Sequence, residues 1–322
     1  MTGRRPSLLV AVVAIVLTAA GCTGVVAGTA SPDPSITTVE RAYGNVSTVD
    51  YCSLVEPQYA PRTGDDLPSM DLCLIYMEDS GTKVNLLVGP IVKYETNNSA
   101  NVPVPIAGVP AGVEVRGRET ERGCQRNLYF PGQMALVLRV SQRDDDSGPP
   151  LAAGVACTMA DNAATGAVRS IGSQRVRHWT YGDRSLGNQE ACAMLPDDLV
   201  ATTASMPGVR ARPQVHKHNC DWYTKDDGPL VQVLLGFIKT SETPDPETIG
   251  GRPAKTQPTT ASGRLGCRVT TRHVPAPADK LQEFARIEVS LPSAGVTAGT
   301  GGQACTMARQ LAEVAFAKLA RP

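Results

Sequence analysis

Large aromatic side chains are scarce in this chain of 322 residues, which holds 2 Trp and 4 Phe and is only 4% aromatic. Platforms that stack sugars or single-stranded nucleic acid need several exposed rings, so the sequence disfavours both ligand classes. Charge of one sign is lacking as well, since 31 Lys and Arg balance 31 Asp and Glu. A nucleic-acid binder carries a basic excess, and no nucleic-acid partner is expected here. The N-terminal apolar run, Leu8 to Ala20, covers 13 residues. That is short of the ~20 that a helical membrane span takes. The chain has no Gly-x-Ser-x-Gly, no P-loop, no His-Glu-x-x-His and no Cys-x-x-Cys. Common routes to nucleophilic, nucleotide, zinc and dithiol chemistry are therefore missing. At 42% hydrophobic the chain is nevertheless rich enough to fold around a core.

Arg4 and Arg5, the short apolar run and the small residues after it form a secretory signal pattern. The run closes on Ala19-Ala20-Gly21-Cys22. This resembles a bacterial lipobox, with Ala19 where an aliphatic residue is more usual, and implies lipidation of Cys22. Plain secretion with cleavage nearby is the alternative. Residues 1–21 are then a signal peptide, and 22–46 a flexible tether rich in small residues, Ser, Thr and Pro. Loss of Arg4 and Arg5 leaves 29 basic against 31 acidic side chains. Attachment would rest on the acyl chains rather than on basic residues. The expected location is the cell membrane, on its extracytoplasmic face.

Eight cysteines remain. They fall into two sets of four: Cys52, Cys73, Cys124, Cys157 and Cys192, Cys220, Cys267, Cys305. The first gap in each set is 21 or 28 residues and the last is 33 or 38. Other marks recur with them. Gly81 and Gly228 each follow the second cysteine by eight, and Gly-x-Pro-Ala at Gly108 and Gly251 precedes the third by 16. Ala156-Cys157-Thr158-Met159-Ala160 returns letter for letter as Ala304-Cys305-Thr306-Met307-Ala308. One domain is written twice. An even cysteine number in an exported chain points to disulfides. Pairing of neighbours is simplest, although four cysteines allow three connectivities.

Each copy reads alike. A short helical segment holds the first cysteine, and the second opens a strand. A turn at Glu78–Gly81 or Asp226–Gly228 sends the chain back along Lys83–Val92 or Pro229–Lys239. A Pro/Gly-rich loop leads to the third cysteine and two more strands, the last of them Ala135–Val140 or Ala285–Leu291. The fourth cysteine opens a helix, with Met307, Leu311, Val314 and Leu319 on one face. The helix that follows Ala156 is expected to be broken at Gly166. The expected fold class is α+β. Two disulfide-stapled domains, 47–172 and 189–322 with a linker at 173–188, each carry a four-stranded antiparallel sheet flanked by N- and C-terminal helices.

Together the lipobox cysteine, the cysteine-hairpin, the Gly-x-Pro-Ala and the Cys-x-x-Ala endings resemble an uncharacterised domain family of actinobacterial envelope lipoproteins. The resemblance covers nearly all of the mature chain as two tandem copies. The first copy departs from it at Leu74, where the second has Asp221-Trp222. It implies an anchored, exported domain and transfers no catalytic residue.

Few residues invite chemistry. Ser80 and Lys83 match Ser-x-x-Lys, but on a hairpin turn rather than at a helix start. His216, His218 and Cys220 alternate, as zinc or copper ligands on one strand face would. A paired Cys220 supplies no thiolate, so no metal is expected. His178 and His273 have no evident triad partners. Asp144 to Gly148 lacks the glutamate that an EF-hand requires. Sequons start at Asn45 and Asn97, in a context where glycosylation is not expected. In the linker Arg175, Arg177, His178, Trp179 and Tyr181 either anchor a partner or dock the linker on the second domain, the latter being favoured. Val102 to Val115, stiffened by Pro103, Pro105 and Pro110, is expected to cover the sheet rather than to form the lip of a ligand cleft. No catalytic residue and no cofactor is expected. The functional expectation is a non-enzymatic binding or scaffold module of the cell envelope, with an unknown protein or lipid partner. The alternative is a carrier of envelope lipid or glycolipid.

Overall fold

The computed structural model describes residues 36, 38–94, 101–143, 150–152, 154–224, 228–240, 245–261, 264–292 and 300–321. Cys22, the signal peptide, most of the tether, Asp144–Gly148, the Asn97 sequon and the turn at Asp226–Asp227 lie outside them. Within the expected tether, α1 (Val39–Tyr43) is a helix capped by the Thr38 side chain, and Val39 and Tyr43 are buried. The folded part therefore begins before residue 46, because these apolar side chains find a core.

The first copy builds a seven-stranded antiparallel sheet. Its strands are β1 (Leu67–Pro68), β2 (Cys73–Asp79), β3 (Thr82–Lys93), β4 (Val102–Pro103), β5 (Glu114–Thr120), β6 (Gly123–Phe130) and β7 (Met134–Gln142). They lie side by side in the order β1-β2-β3-β7-β6-β5-β4. Ser80 and Gly81, at φ of 48° and 85°, make the two-residue turn between β2 and β3. Both central residues at positive φ give the backbone twist that a tight hairpin requires. Cys73, Ile75 and Met77 alternate inward along β2 and meet Val84, Leu86 and Val88 on β3. After β7 comes helix α2 (Val155–Gly172).

The second copy begins with two short 3₁₀ turns and α3 (Asp197–Thr203). Its strands are β8 (Arg212–Pro213), β9 (Asn219–Tyr223), β10 (Leu230–Lys239), β11 (Glu247–Ile249), β12 (Arg252–Ala261), β13 (Arg264–Pro275) and β14 (Leu281–Leu291), followed by helix α4 (Thr300–Ala317). Their lateral order is β8-β9-β10-β14-β13-β12-β11, the first copy's order step for step. The duplication in sequence is thus a duplication of topology.

Two expectations need correction. Each sheet has seven strands rather than four. β5 and β12 lie where prolines and glycines suggest loops, and the other additions are two- or three-residue edge strands. Pro253 and Pro258 make β12 look like a loop, yet a strand next to the sheet edge tolerates them. The flanking helices also differ. At the N-terminal side of the copies stand short 3₁₀ turns, such as Tyr51–Leu54 and Ala191–Met194, together with the short α1 and α3. Among the described residues only the C-terminal helices α2 and α4 are long.

The four disulfides join neighbours: Cys52–Cys73, Cys124–Cys157, Cys192–Cys220 and Cys267–Cys305. Each ties a helical segment to a strand. α2 runs unbroken through Gly166, and there a Cβ would stand 3.0 Å from the Tyr59 ring. That glycine serves close approach and does not end the helix. In α4 the buried stripe is Ala304, Ala308, Leu311, Ala312, Ala315 and Phe316, whereas Val314, expected inward, is 36% exposed. Val104, Ile106, Val109 and Val113 pack against the first core, so the Pro-rich crossover covers the sheet as expected.

Candidate functional site

The two copies meet in one compact unit. The seam uses the same turn from each, the residues just before the second cysteine: 69–72 in one copy and 216–219 in the other. Met70 of the first copy packs into the second core, and Val215 of the second packs against the first. Asp71, His216 and His218 are nearly or fully buried there. His216 Nε2 lies 4.0 Å from Asp71 Oδ2, and the two imidazole rings are 6.0 Å apart. The His218 backbone N–H donates to His216 Nδ1, which leaves the hydrogen of a neutral His216 on Nε2, facing Asp71. His218 Nε2 donates to the Gly187 carbonyl at 3.1 Å.

Burial pushes the Asp71 carboxyl up to about 6, with a Ser69 hydrogen bond acting the other way. Burial, then the neighbouring His218, pulls His216 down to about 3. His218 is lowered by burial too, against the pull of its carbonyl contacts. Near neutral pH the 4.0 Å contact is therefore an ionised Asp71 beside a neutral His216, not an ion pair. Tyr51 and Tyr181 close the cluster, and burial raises both phenols. Next to it Ser185 donates a 2.5 Å hydrogen bond to Glu283, and the Leu186 N–H donates to the other carboxylate oxygen. Ser185 also caps the 3₁₀ turn Leu186–Asn188 by accepting from the Gly187 N–H. That serine and carboxylate hold a turn.

The linker is structured. The Asp50 N–H donates to the Arg177 carbonyl, the Trp179 N–H donates to the Thr48 carbonyl, and Arg177 pairs with Asp50 at 3.1 Å. Trp179 stands edge-on to Phe237, with centroids 5.7 Å apart, so the linker docks on the second copy. Gly187 sits under the Tyr181 ring, where a Cβ would be 2.4 Å from three ring carbons. Gly187→Ala is expected to displace Tyr181 and lower stability by about 1–3 kcal/mol. Thermal unfolding checks this, and an unchanged midpoint would refute the packing role.

Beside the buried cluster a cleft of about 920 Å³ opens along the seam. Leu67, Pro68, Trp179 and Leu281 give it an apolar lining. Asp65 and Asp66 stand on the first copy, and Lys239 and Lys280 on the second. The Trp179 indole N–H is enclosed and has no acceptor among the described residues. A second hollow of about 600 Å³ shares Cys52, Asp66 and Arg177 with this cleft. The volume lies in the range of small-ligand sites.

Other sequence candidates scatter. Ser80 occupies the β2–β3 turn, and Lys83 sits on β3 beyond it. His178 bonds Thr48 Oγ1 through Nδ1, and Asn45 caps a 3₁₀ turn. His273 is clamped between Arg252 and the Arg184 carbonyl. His216 precedes β9 in a turn, so it and Cys220 do not share a strand face. Cys52, Asp66 and Cys73 converge closely enough to suggest a metal, yet both sulfurs are in one disulfide and offer no thiolate. Sequence reasoning singled out the histidines and Trp179 but missed Asp71 as their partner. The repeat alignment, which sets Ser69 and Asp71 opposite His216 and His218, held that signal.

The chain matches no protein-family model and no curated protein. Among solved structures one similar chain is the di-domain ARO/CYC BexL from the BE-7585A biosynthetic pathway, at 16% identity. The match covers 82% of this chain and 88% of that one, at a TM-score of 0.15. A likeness of that size shows neither a shared fold nor a shared activity.

Proposed function

We propose that the chain is a lipid-anchored protein of the cell envelope whose folded part is a non-enzymatic binding module, with the seam cleft as its binding site. The lipobox pattern at Cys22 supports the anchor, and the even disulfide framework supports export. One observation carries the binding reading. Both copies and the linker contribute to a cleft of about 920 Å³, which Leu67, Pro68, Trp179 and Leu281 line with apolar surface and Asp65, Asp66, Lys239 and Lys280 rim with charge of both signs. A concave, mainly apolar lining with a few charged groups at its rim is the usual form of a ligand site. Against catalysis stands the use of the buried acid–base groups. Glu283 is held by two donors, His218 bonds a carbonyl, and Asp71 and His216 are sealed in the seam. The carrier reading draws no support from the sheet–helix interiors, where Leu86, Leu136, Leu138 and α2 alanines fill the first copy. Native mass spectrometry of the full chain, gently extracted from its own membrane, tests the reading. It is expected to retain a ligand or partner beyond the anchor, and Trp179→Ala is expected to release it. A chain carrying only its acyl groups would overturn the binding role.

A further inference from the structure

The face of the second sheet that points away from α4 carries an unusual cluster of positive charge. Arg268, Thr270 and Arg272 alternate on β13, opposite to the buried Cys267, Val269 and Thr271. Cross-strand register sets Thr270 between Lys255 on β12 and Arg286 on β14, and sets Arg268 beside Glu288. The Arg286 Nε–H donates to Thr270 Oγ1 at 3.2 Å, and its guanidinium lies 4.7 Å over the Phe284 ring. Arg272 pairs with Asp245 at 2.8 Å through Nη1, while its Nε–H is enclosed without a partner among the described residues. Arg268 and Arg286 are less well matched. Both share the influence of Glu288, whose Oε2 is 3.8 Å from Arg268 Nε. Arg286 is held below the usual guanidinium range by burial first and then by Arg268. Two like charges are thus fixed on neighbouring rigid strands, half out of water, with one carboxylate between them and an exposed Lys255 at the rim.

The other half of the molecule is an internal control. By the cysteine alignment and the strand register, the first copy has Gln125 in place of Arg268 and Val137 in place of Arg286, with Arg139 where Glu288 stands. The same topology forms without a guanidinium at either position, so the fold does not require this pair; the first copy's own cations on this face, Arg116, Arg118 and Arg139, stand where the second copy has Lys255, Gln257 and Glu288. Like charges held together cost stability, and a fixed pair of forks matches an oxyanion.

We infer that this face binds a phosphate-type oxyanion through Arg268 and Arg286, with Thr270 positioning Arg286 and Lys255 adding outer charge. The oxyanion is either a soluble phosphate or a phospholipid headgroup. The inference is independent of the seam cleft.

The test titrates the full chain with sodium phosphate, glycerol phosphate and dihexanoyl-phosphatidylglycerol below its micelle concentration. Sodium chloride at equal ionic strength and dihexanoyl-phosphatidylcholine serve as controls. Arginine side-chain NMR shifts report the site. Shifts confined to Arg268 and Arg286, saturating with phosphate but not with chloride, are the expected result. Tighter binding of the phosphatidylglycerol than of glycerol phosphate assigns the headgroup, and equal binding assigns the soluble anion. Arg268→Gln with Arg286→Val copies the first copy's residues and is expected to weaken binding at least about tenfold. Lys255→Gln, on an exposed side chain, is expected to weaken it less and guards against misfolding of the double variant. Shifts located elsewhere, equal response to chloride, or undiminished binding by the folded double variant would overturn the inference.

Discussion

Replacing Cys267 and Cys305 together by alanine is expected to lower the unfolding free energy by about 4 kcal/mol, within the usual range of about 2–5 kcal/mol. The bond closes a loop of 38 residues, the longest of the four, and the chain-entropy cost rises with loop length. Its position adds to the effect. α4 meets the sheet mainly through Ala304, Ala308, Ala312 and Ala315, with Leu311 and Phe316 as the large side chains of that face. Alanines allow close approach but each removes little apolar area from water. The covalent tie from β13 therefore replaces part of what larger side chains would contribute. Alanine rather than serine keeps two buried sites apolar, so the loss reports on the bond and not on buried hydroxyls. Denaturant titration under non-reducing conditions measures it. A variant unfolding at its parent's midpoint would show that the bond adds nothing to an already docked helix.

Cysteine spacing and strand alternation made the repeated unit legible, because both are local and both recur. Cys73 and Cys220 open or nearly open their strands, and the return strands fall close to their expected bounds. Other features depended on neighbours distant in sequence. β12 carries two prolines and becomes a strand because β13 supplies its partner along most of its length. Residue 166 is glycine inside an intact helix because the Tyr59 ring occupies the space of a Cβ. Val39 and Tyr43 form α1 because the first core accepts them. The seam was harder still. Asp71 and His216 are 145 positions apart, and no periodicity announces that equivalent turns of two copies will meet. Trp222 and Ile75 show how the copies diverged: each lies two residues after its second cysteine, and both are fully buried in their cores. The aromatic missing from the first copy is replaced by an aliphatic side chain with the same inward direction.

Asp71→Asn is expected to change the pH dependence of stability more than its mean value. The carboxyl of Asp71 is raised to about 6 in the folded chain from an ordinary 3.8. It thus favours folding fully below pH ~4 and loses that contribution as pH rises through about 6. His216 works the other way. Lowered from 6.5 to about 3, it favours folding above pH 6.5 and loses that contribution as pH falls towards 3. His218 shifts in the same direction as His216. Between pH 7 and 5 the aspartate and the histidines oppose each other, and the parent's stability stays comparatively flat. Asparagine removes the aspartate's part and leaves the histidines. The variant should be more stable than the parent at pH 7.5, by up to about 3 kcal/mol for a shift of this size. It should then lose about 2 kcal/mol or more between pH 7 and 5 through His216. Glu283, raised by burial next to Tyr181, is present in both proteins and cancels in the difference. Denaturant titrations at pH 7.5, 6, 5 and 4 measure both profiles. Parallel curves would mean that Asp71 titrates normally and that water reaches the seam. Converging curves, with the variant's advantage gone by pH 4, would establish that the two copies are joined through a buried and pH-sensitive contact.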